Sequence, residues 1–155
     1  MTKCYPNKNY QTSEKGGLVV FSFLIREGGG CVNVALCATF LEEDVWGSRL
    51  CAAAFPQKLD ITECNSAQAL LRILELKPFS FLTVALNGVA GLEAVRQLRS
   101  KAPDIPILWI SDEDYSLFGY QYRVTSFLCR PVPDTELRDA VSSCMRLVEK
   151  GAGNL

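Results

Sequence analysis

What this chain lacks is the first constraint on its chemistry. It carries seven cysteines and no histidine in 155 residues, so a Ser-His or Cys-His nucleophile pair is excluded. The cysteines, at positions 4, 31, 37, 51, 64, 129 and 144, form no C-x-x-C pair, which argues against zinc. Most lie inside apolar segments, where a free thiol behaves as a small hydrophobe. No G-x-x-x-x-G-K phosphate loop occurs. Glu42, Glu43 and Asp44 offer three adjacent carboxylates, but consecutive helical residues point to different sides, so they read as a solvated helix face rather than a metal cradle. One segment stands out, Phe81 to Glu93 (FLTVALNGVAGLE). It reads as a buried strand carrying Thr83, a glycine-marked loop and the first turn of a helix. The formal net charge is -1 with both signs spread along the chain, unlike the basic stripe of a nucleic-acid binder or a polybasic membrane anchor.

The elements around that segment divide the chain at a glycine run, Gly28-Gly29-Gly30. Residues 1–30 form an extension, flexible or contributing an added edge strand, and residues 1–17 are polar and read as mobile. Its apolar run, LVVFSFLI between Gly17 and Ile25, is far shorter than the roughly 20 residues needed to span a bilayer. Arg26, Glu27 and the glycines follow it instead of a small-residue cleavage site, which disfavours a signal peptide. Together with the odd cysteine count this favours a reducing cytoplasm.

Residues 31–150 read as one domain. Val32 to Leu36 is a short apolar strand, and Thr39 caps a helix with Phe40, Val45, Leu50 and Ala53 on one face, stopped before Pro56. Lys58 to Cys64 is a second strand, followed by a helix from Ser66 with Ala69, Leu70, Ile73 and Leu74 inward. Phe79 to Ala85 is a third strand without polar alternation, as expected when helices cover both faces. Gly91 to Ala102 is helical, with Leu92, Val95 and Leu98 inward. Pro106 to Ile110 and Val124 to Cys129 are the fourth and fifth strands, with a short helix within Asp114 to Tyr122 between them. Thr135 to Glu149 is the last helix. Strands each followed by a helix imply a flavodoxin-like, doubly wound five-stranded parallel sheet with helices on both faces. Ligands of such sheets sit at the carboxyl ends of the strands.

Three stretches, VNVALCATFLEED, PFSFLTVALNGVAGLEAVRQLR and PDIPILWISDEDYSLF with the later VTSFLCRPV, resemble the receiver domain of bacterial two-component response regulators. The resemblance is closest to the branch that precedes a LytTR-type DNA-binding domain. It implies a phosphoacceptor aspartate at the end of the third strand and an acidic pair after the first that helps hold Mg²⁺. A Ser or Thr after the fourth strand and a Lys-Pro after the fifth contact the phosphoryl group. Carried over, the acceptor position falls on Thr83, placed by its spacing to Gly88 and Gly91, and the acidic pair on Ala38 and Thr39. The hydroxyl is kept as Ser111, the lysine becomes Arg130 before Pro131, and the aromatic that couples to the switch hydroxyl is Phe127. Mg²⁺ requires hard oxygen ligands, so the resemblance implies lost metal binding, no cofactor and no enzymatic activity.

The expected function is a non-phosphorylatable, pseudo-receiver domain in bacterial signal transduction, cytoplasmic and acting by protein–protein contact. Its partner is a second copy of itself or a cognate regulator or kinase, with no direct contact to nucleic acid or membrane. Tyr115, Phe118 and Tyr122 either form the switch and docking surface or pack a poorly regular helix onto the sheet. The alternative is a sensor binding a small anion in the pocket around Ser111 and Arg130, with Arg130 otherwise pairing with Asp112 or Glu113. A regulator fragment or decayed gene product is a third reading. Aspartate at Thr83 alone is not expected to restore phosphorylation.

Overall fold

Local chemistry sets most element boundaries in the computed structural model, which describes residues 2–4 and 31–153. In chain order the elements are β1 (Thr2–Cys4), β2 (Cys31–Ala38), α1 (Glu43–Ala54), β3 (Lys58–Cys64), α2 (Ala67–Leu76) and β4 (Phe81–Ala85). They continue with α3 (Gly88–Lys101), β5 (Ile107–Ser111), α4 (Ser116–Gln121), β6 (Ser126–Cys129) and α5 (Asp134–Gly153). The Ser66 side chain caps α2 by accepting from the Ala69 N–H at 3.1 Å, which satisfies one of the orphan donors of the first turn. The sheet runs β1-β3-β2-β4-β5-β6. Its five parallel strands, β3 to β6 in that order, form the doubly wound arrangement the sequence implies, and the chain reverses direction across the sheet between β2 and β4.

Pleating sends alternate residues to opposite faces. Val34, Leu36, Ile61, Phe81, Leu108 and Ile110 meet Trp46, Leu50, Leu137 and Val141 of α1 and α5. Ala35, Cys37, Leu82, Val84 and Trp109 meet Leu70, Ala94, Val95 and Leu98 of α2 and α3. Both faces of β4 are buried along its whole length, which is why its sequence shows no polar alternation.

Three expectations need correction. The first helix begins after Glu42 rather than after Thr39, because the Thr39 carbonyl closes the preceding turn by accepting from the N–H groups of Glu42 and Glu43 at 2.9 and 3.1 Å. The inward face also differs from the expected one: Trp46, Gly47, Leu50, Ala53 and Ala54 are buried, while Phe40 and Val45 are exposed. The third helix begins at Gly88 rather than Gly91, leaving only Leu86 and Asn87 after β4. Finally Thr2–Cys4, inside the stretch read as mobile, pair antiparallel with Asp60 to Thr62. The apolar run between Gly17 and Ile25 lies outside the described residues. Among the described residues no helix is long and apolar enough to cross a membrane.

The early start of α3 depends on a close approach at Gly91. A Cβ there would lie 2.2 Å from the Leu86 carbonyl oxygen and 3.2 Å from Trp109 Nε1. Gly91→Ala is therefore expected to push α3 off the end of β4 and cost about 3 kcal/mol. A chemical-denaturation midpoint within error of the parent would show that α3 has room to shift.

Candidate functional site

The carboxyl ends of β2 and β4 meet at the switch point, where Ala38 lies beside Ala85. Two loops converge there from opposite sides of the chain. The turn after β2 carries Glu42, and the end of β6 carries Arg130. The Arg130 guanidinium donates to Glu42 through both terminal nitrogens, Nη1 to Oε2 at 2.8 Å and Nη2 to Oε1 at 3.0 Å. Nη2 also donates to the Ala85 carbonyl at 3.1 Å. The same guanidinium carbon lies 5.3 Å from the centre of the Trp46 ring, and that of Arg49 lies 4.8 Å from it. Trp46 is thus held by two cations, a favourable use of its electron-rich face.

Thr83 lies inside β4 and not at its end. Thr83 is the third residue of β4, registered between Leu36 and Leu108, fully buried, and its Oγ1 has no hydrogen-bond partner. The strand ends two residues later, at Ala85. The last residue of the strand is thus Ala85, and Thr83 lies within it. Ala38 does sit at the end of β2, and Thr39 follows it, exposed.

Ser111 ends β5, fully buried. Its Oγ accepts from the Glu113 N–H at 3.3 Å, and its carbonyl accepts from the Arg130 N–H at 2.8 Å. The next residue, Asp112, reaches across to accept from the Gly88 N–H at 2.9 Å. Gly88 has φ +62°, a conformation open to glycine at little cost, and Asn87 before it makes no side-chain cap. Asp112 thereby places a carboxylate at the positive end of α3. Arg130 pairs with neither Asp112 nor Glu113, as the sequence allowed, but with Glu42, which had been read as a solvated helix face.

Beneath this rim lies an aromatic ladder. Phe127 meets Trp109 edge-on with ring centres 5.0 Å apart, and Tyr115 stacks on Trp109 at 5.7 Å. Phe118 follows at 6.0 Å from Tyr115, and Tyr122 at 6.5 Å from Phe118. Tyr115, Tyr122 and Phe127 are half-buried against the α2–α3 core. These three pack against the sheet, whereas Phe118 is exposed. The most exposed large apolar side chains of α4 are Leu117 and Tyr120.

Hydrogen bonds from Arg130 hold the Glu42 carboxyl below its ordinary value, against partial burial that pushes it up; the charge of Arg130 and contacts with Thr39 and Trp46 add to the lowering. A depressed carboxyl contributes stability above its unfolded value of about 4.3 and loses it as pH falls through the lower folded value. With side-chain exposures of 33% for Glu42 and 21% for Arg130, solvent screening limits the pair to about 1 kcal/mol. Glu42→Gln is expected to flatten the acid limb of a stability–pH curve by that amount. An acid limb indistinguishable from the parent would remove the pair from the stability balance.

Comparison with solved structures places this arrangement. The chain superposes on a signal receiver domain of an HD domain-containing protein from Pseudomonas fluorescens with a TM-score of 0.63 at 14% identity, covering 81% of this chain and 94% of that one. A CheY-like response regulator receiver domain from Methanospirillum hungatei gives 0.62 at 11% identity, covering 79% and 99%. One from Clostridium thermocellum gives 0.60 at 12%, covering 81% and 99%. The fold is that of a response regulator receiver domain. No family profile and no curated protein matches the sequence. Within this receiver fold the strand-end positions of β2 and β4 carry the methyl groups of Ala38 and Ala85, and the cation at the end of β6 is engaged by the chain's own Glu42.

Proposed function

We propose that this chain is a non-phosphorylatable receiver-like domain of bacterial signal transduction that acts by protein–protein contact, including contact with itself. The observation that carries this reading is the bidentate Glu42–Arg130 pair over Ala85. A carboxylate from the first loop occupies the guanidinium that would otherwise meet an incoming phosphoryl group. The strand end beneath it offers no carboxylate to serve as nucleophile.

The donor set also does not fit a divalent cation. Mg²⁺ takes oxygen ligands in near-octahedral geometry, whereas Glu42 is bonded to Arg130, Asp112 to Gly88, and Ala38 and Ala85 contribute no side-chain oxygen. On this reading the domain needs no cofactor, performs no catalysis and works in the cytoplasm. It has lost the ligand that shifts a receiver between its two states, and so holds one of them. The resemblance of the sequence to receivers that precede LytTR-type domains supports a partner within transcriptional regulation. The anion-sensor alternative requires Glu42 to release Arg130, and no feature of the pocket favours that exchange.

Incubation with acetyl phosphate and Mg²⁺, read by intact mass, tests the proposal. The expected spectrum is that of the unmodified chain. A hydroxylamine-labile phosphoryl adduct would overturn it.

A further inference from the structure

Two thiols face each other near the carboxyl end of the sheet. Cys37 on β2 and Cys64 on β3 are direct partners in the parallel register. Both belong to the core on the α2–α3 side, so pleating sends their side chains to the same face. Their thiols share a hydrogen bond. Neighbouring strands lie about 4.8 Å apart, inside the span of about 4.4–6.8 Å between the Cα atoms of a disulfide. The two sulfurs can therefore join without moving the backbone.

The surroundings select that reaction over metal binding. Ala35, Leu70, Val84 and Leu86 line the same core, and the charge of Glu43 reaches Cys37. A soft cation held by two thiolates would leave a net negative charge there, which burial and Glu43 both oppose. Among the described residues no group of three or more cysteines and carboxylates could hold a metal ion. A disulfide is neutral and fits the apolar space.

The two sulfurs are unequal in access. Cys37 is fully buried, whereas Cys64 is 8% exposed and leads into exposed Asn65. The hydrogen bond with Cys64, then burial, then the charges of Cys64 and Glu43 hold the Cys37 thiol well above its ordinary value. The thiolate is the nucleophile, so a small oxidant meets Cys64 first and Cys37 waits behind it.

We propose that Cys37 and Cys64 form a dithiol site that hydrogen peroxide oxidises to a disulfide. The Cys64 thiolate attacks one peroxide oxygen, breaking the O–O bond and giving a sulfenic acid and hydroxide. Cys37 Sγ then attacks Cys64 Sγ. The displaced hydroxyl leaves as water with the Cys37 proton. In sum, two thiols lose two electrons and two protons, and the peroxide becomes two waters. The bridge joins the strand leading into the Glu42 turn to the strand leading into α2. Disulfides inside mesophile cells are usually transient and catalytic or redox-sensing, and a thiol reductant reopens this one. The proposal does not rest on the state of the phosphorylation pocket.

The test is hydrogen peroxide treatment of the full chain, alkylation in denaturant, and peptide mapping without reductant. Chymotryptic cleavage after Leu36 separates Cys37 from Cys31. The expected product is a linked pair of peptides carrying Cys37 and Cys64. Both thiols are lost in equal amounts, and both return after dithiothreitol. Oxidation of exposed Cys129 shows that the peroxide has acted. Cys37→Ala is expected to leave Cys64 as a sulfenic acid that dimedone traps, and Cys64→Ala to leave Cys37 an unmodified thiol. Recovery of Cys37 and Cys64 as thiols from a chain oxidised at Cys129 would overturn the proposal. A disulfide from either one to a different cysteine would do the same. The linked peptides of the parent carry the test by themselves if a variant does not fold.

Discussion

Thr83→Asp is expected to break the sheet instead of creating a phosphoacceptor. The Thr83 side chain lies on the face that β4 turns toward α1 and α5, between Phe81 and Ala85. It is fully buried, and even its small hydroxyl lacks a partner. A carboxylate there would be buried where the existing hydroxyl finds no partner, and a neutral carboxyl would still leave polar atoms to satisfy. The cost is about 3–5 kcal/mol at neutral pH, a large share of the 5–15 kcal/mol that typically holds a domain together. Because burial raises the folded-state value of such a carboxyl, the loss is smallest in acid and grows as pH rises above the unfolded value of about 4.

The converse substitution sharpens the point. Thr83→Val keeps the branched shape suited to a strand and removes the orphan hydroxyl, so it is expected to stabilise the fold by about 1 kcal/mol. Urea denaturation of the two variants measures both signs. A Thr83→Asp protein that unfolds at the parent's urea concentration would mean that the side chain reaches solvent, contrary to its place in the strand.

The second large effect is expected at Arg99, a residue with no apparent role in the sequence beyond ending a helix. Its guanidinium is buried and gathers five backbone carbonyls. Nε donates to Tyr122 at 2.7 Å, and Nη1 to Ala102, Pro103 and Ile105 at 3.0, 2.9 and 2.9 Å. Nη2 donates to Arg123 at 3.0 Å. Burial draws its pKa below the ordinary arginine value, helped by repulsion from Arg123 and opposed by Asp104. The guanidinium remains the cation that joins the end of α3, the loop into β5 and the turn after α4. That turn includes Arg123 in the left-handed region at φ 55°, so Arg99 fixes backbone that has an intrinsic conformational cost.

Hydrogen bonds to charged groups contribute about 1.5–3 kcal/mol each but do not add fully. Some of the released carbonyls can turn to water, so Arg99→Met is expected to cost about 3–4 kcal/mol in total. Lysine is expected to rescue little, since three donors on one nitrogen cannot reproduce the planar fork. Denaturation midpoints give the magnitude, and faster amide exchange at residues 123–125 gives the location. If Arg99→Met stays within about 1 kcal/mol of the parent, water replaces the guanidinium without penalty.

How legible each feature was depends on how far its cause extends along the chain. Lys58 to Cys64 is a strand because apolar Leu59 and Ile61 alternate with polar residues between turn residues, and Ser66 caps α2 through a bond three residues long; both causes are local. Strand order followed from the same patterns together with the handedness of crossovers. Ser111 and Arg130 were placed correctly at strand ends because each closes its own strand. That Thr83 lies two residues inside the strand end was not legible, because where β4 stops is set by its contacts with β2 and β5 and not by the spacing to Gly91.

Glu42 shows the same limit. In sequence it is one of three adjacent acids on a helix start; its partner lies 88 positions away. The chain by itself therefore determined an inherited parallel α/β sheet that lacks carboxylates at Ala38 and Thr39. Only the tertiary structure decided that the position beneath Arg130 is Ala85, that Thr83 is core, and that Glu42 is the carboxylate that pairs with Arg130. Propensity and periodicity act over a few residues, whereas the partners of a charge at a strand end are chosen by how the crossovers fold back over the sheet.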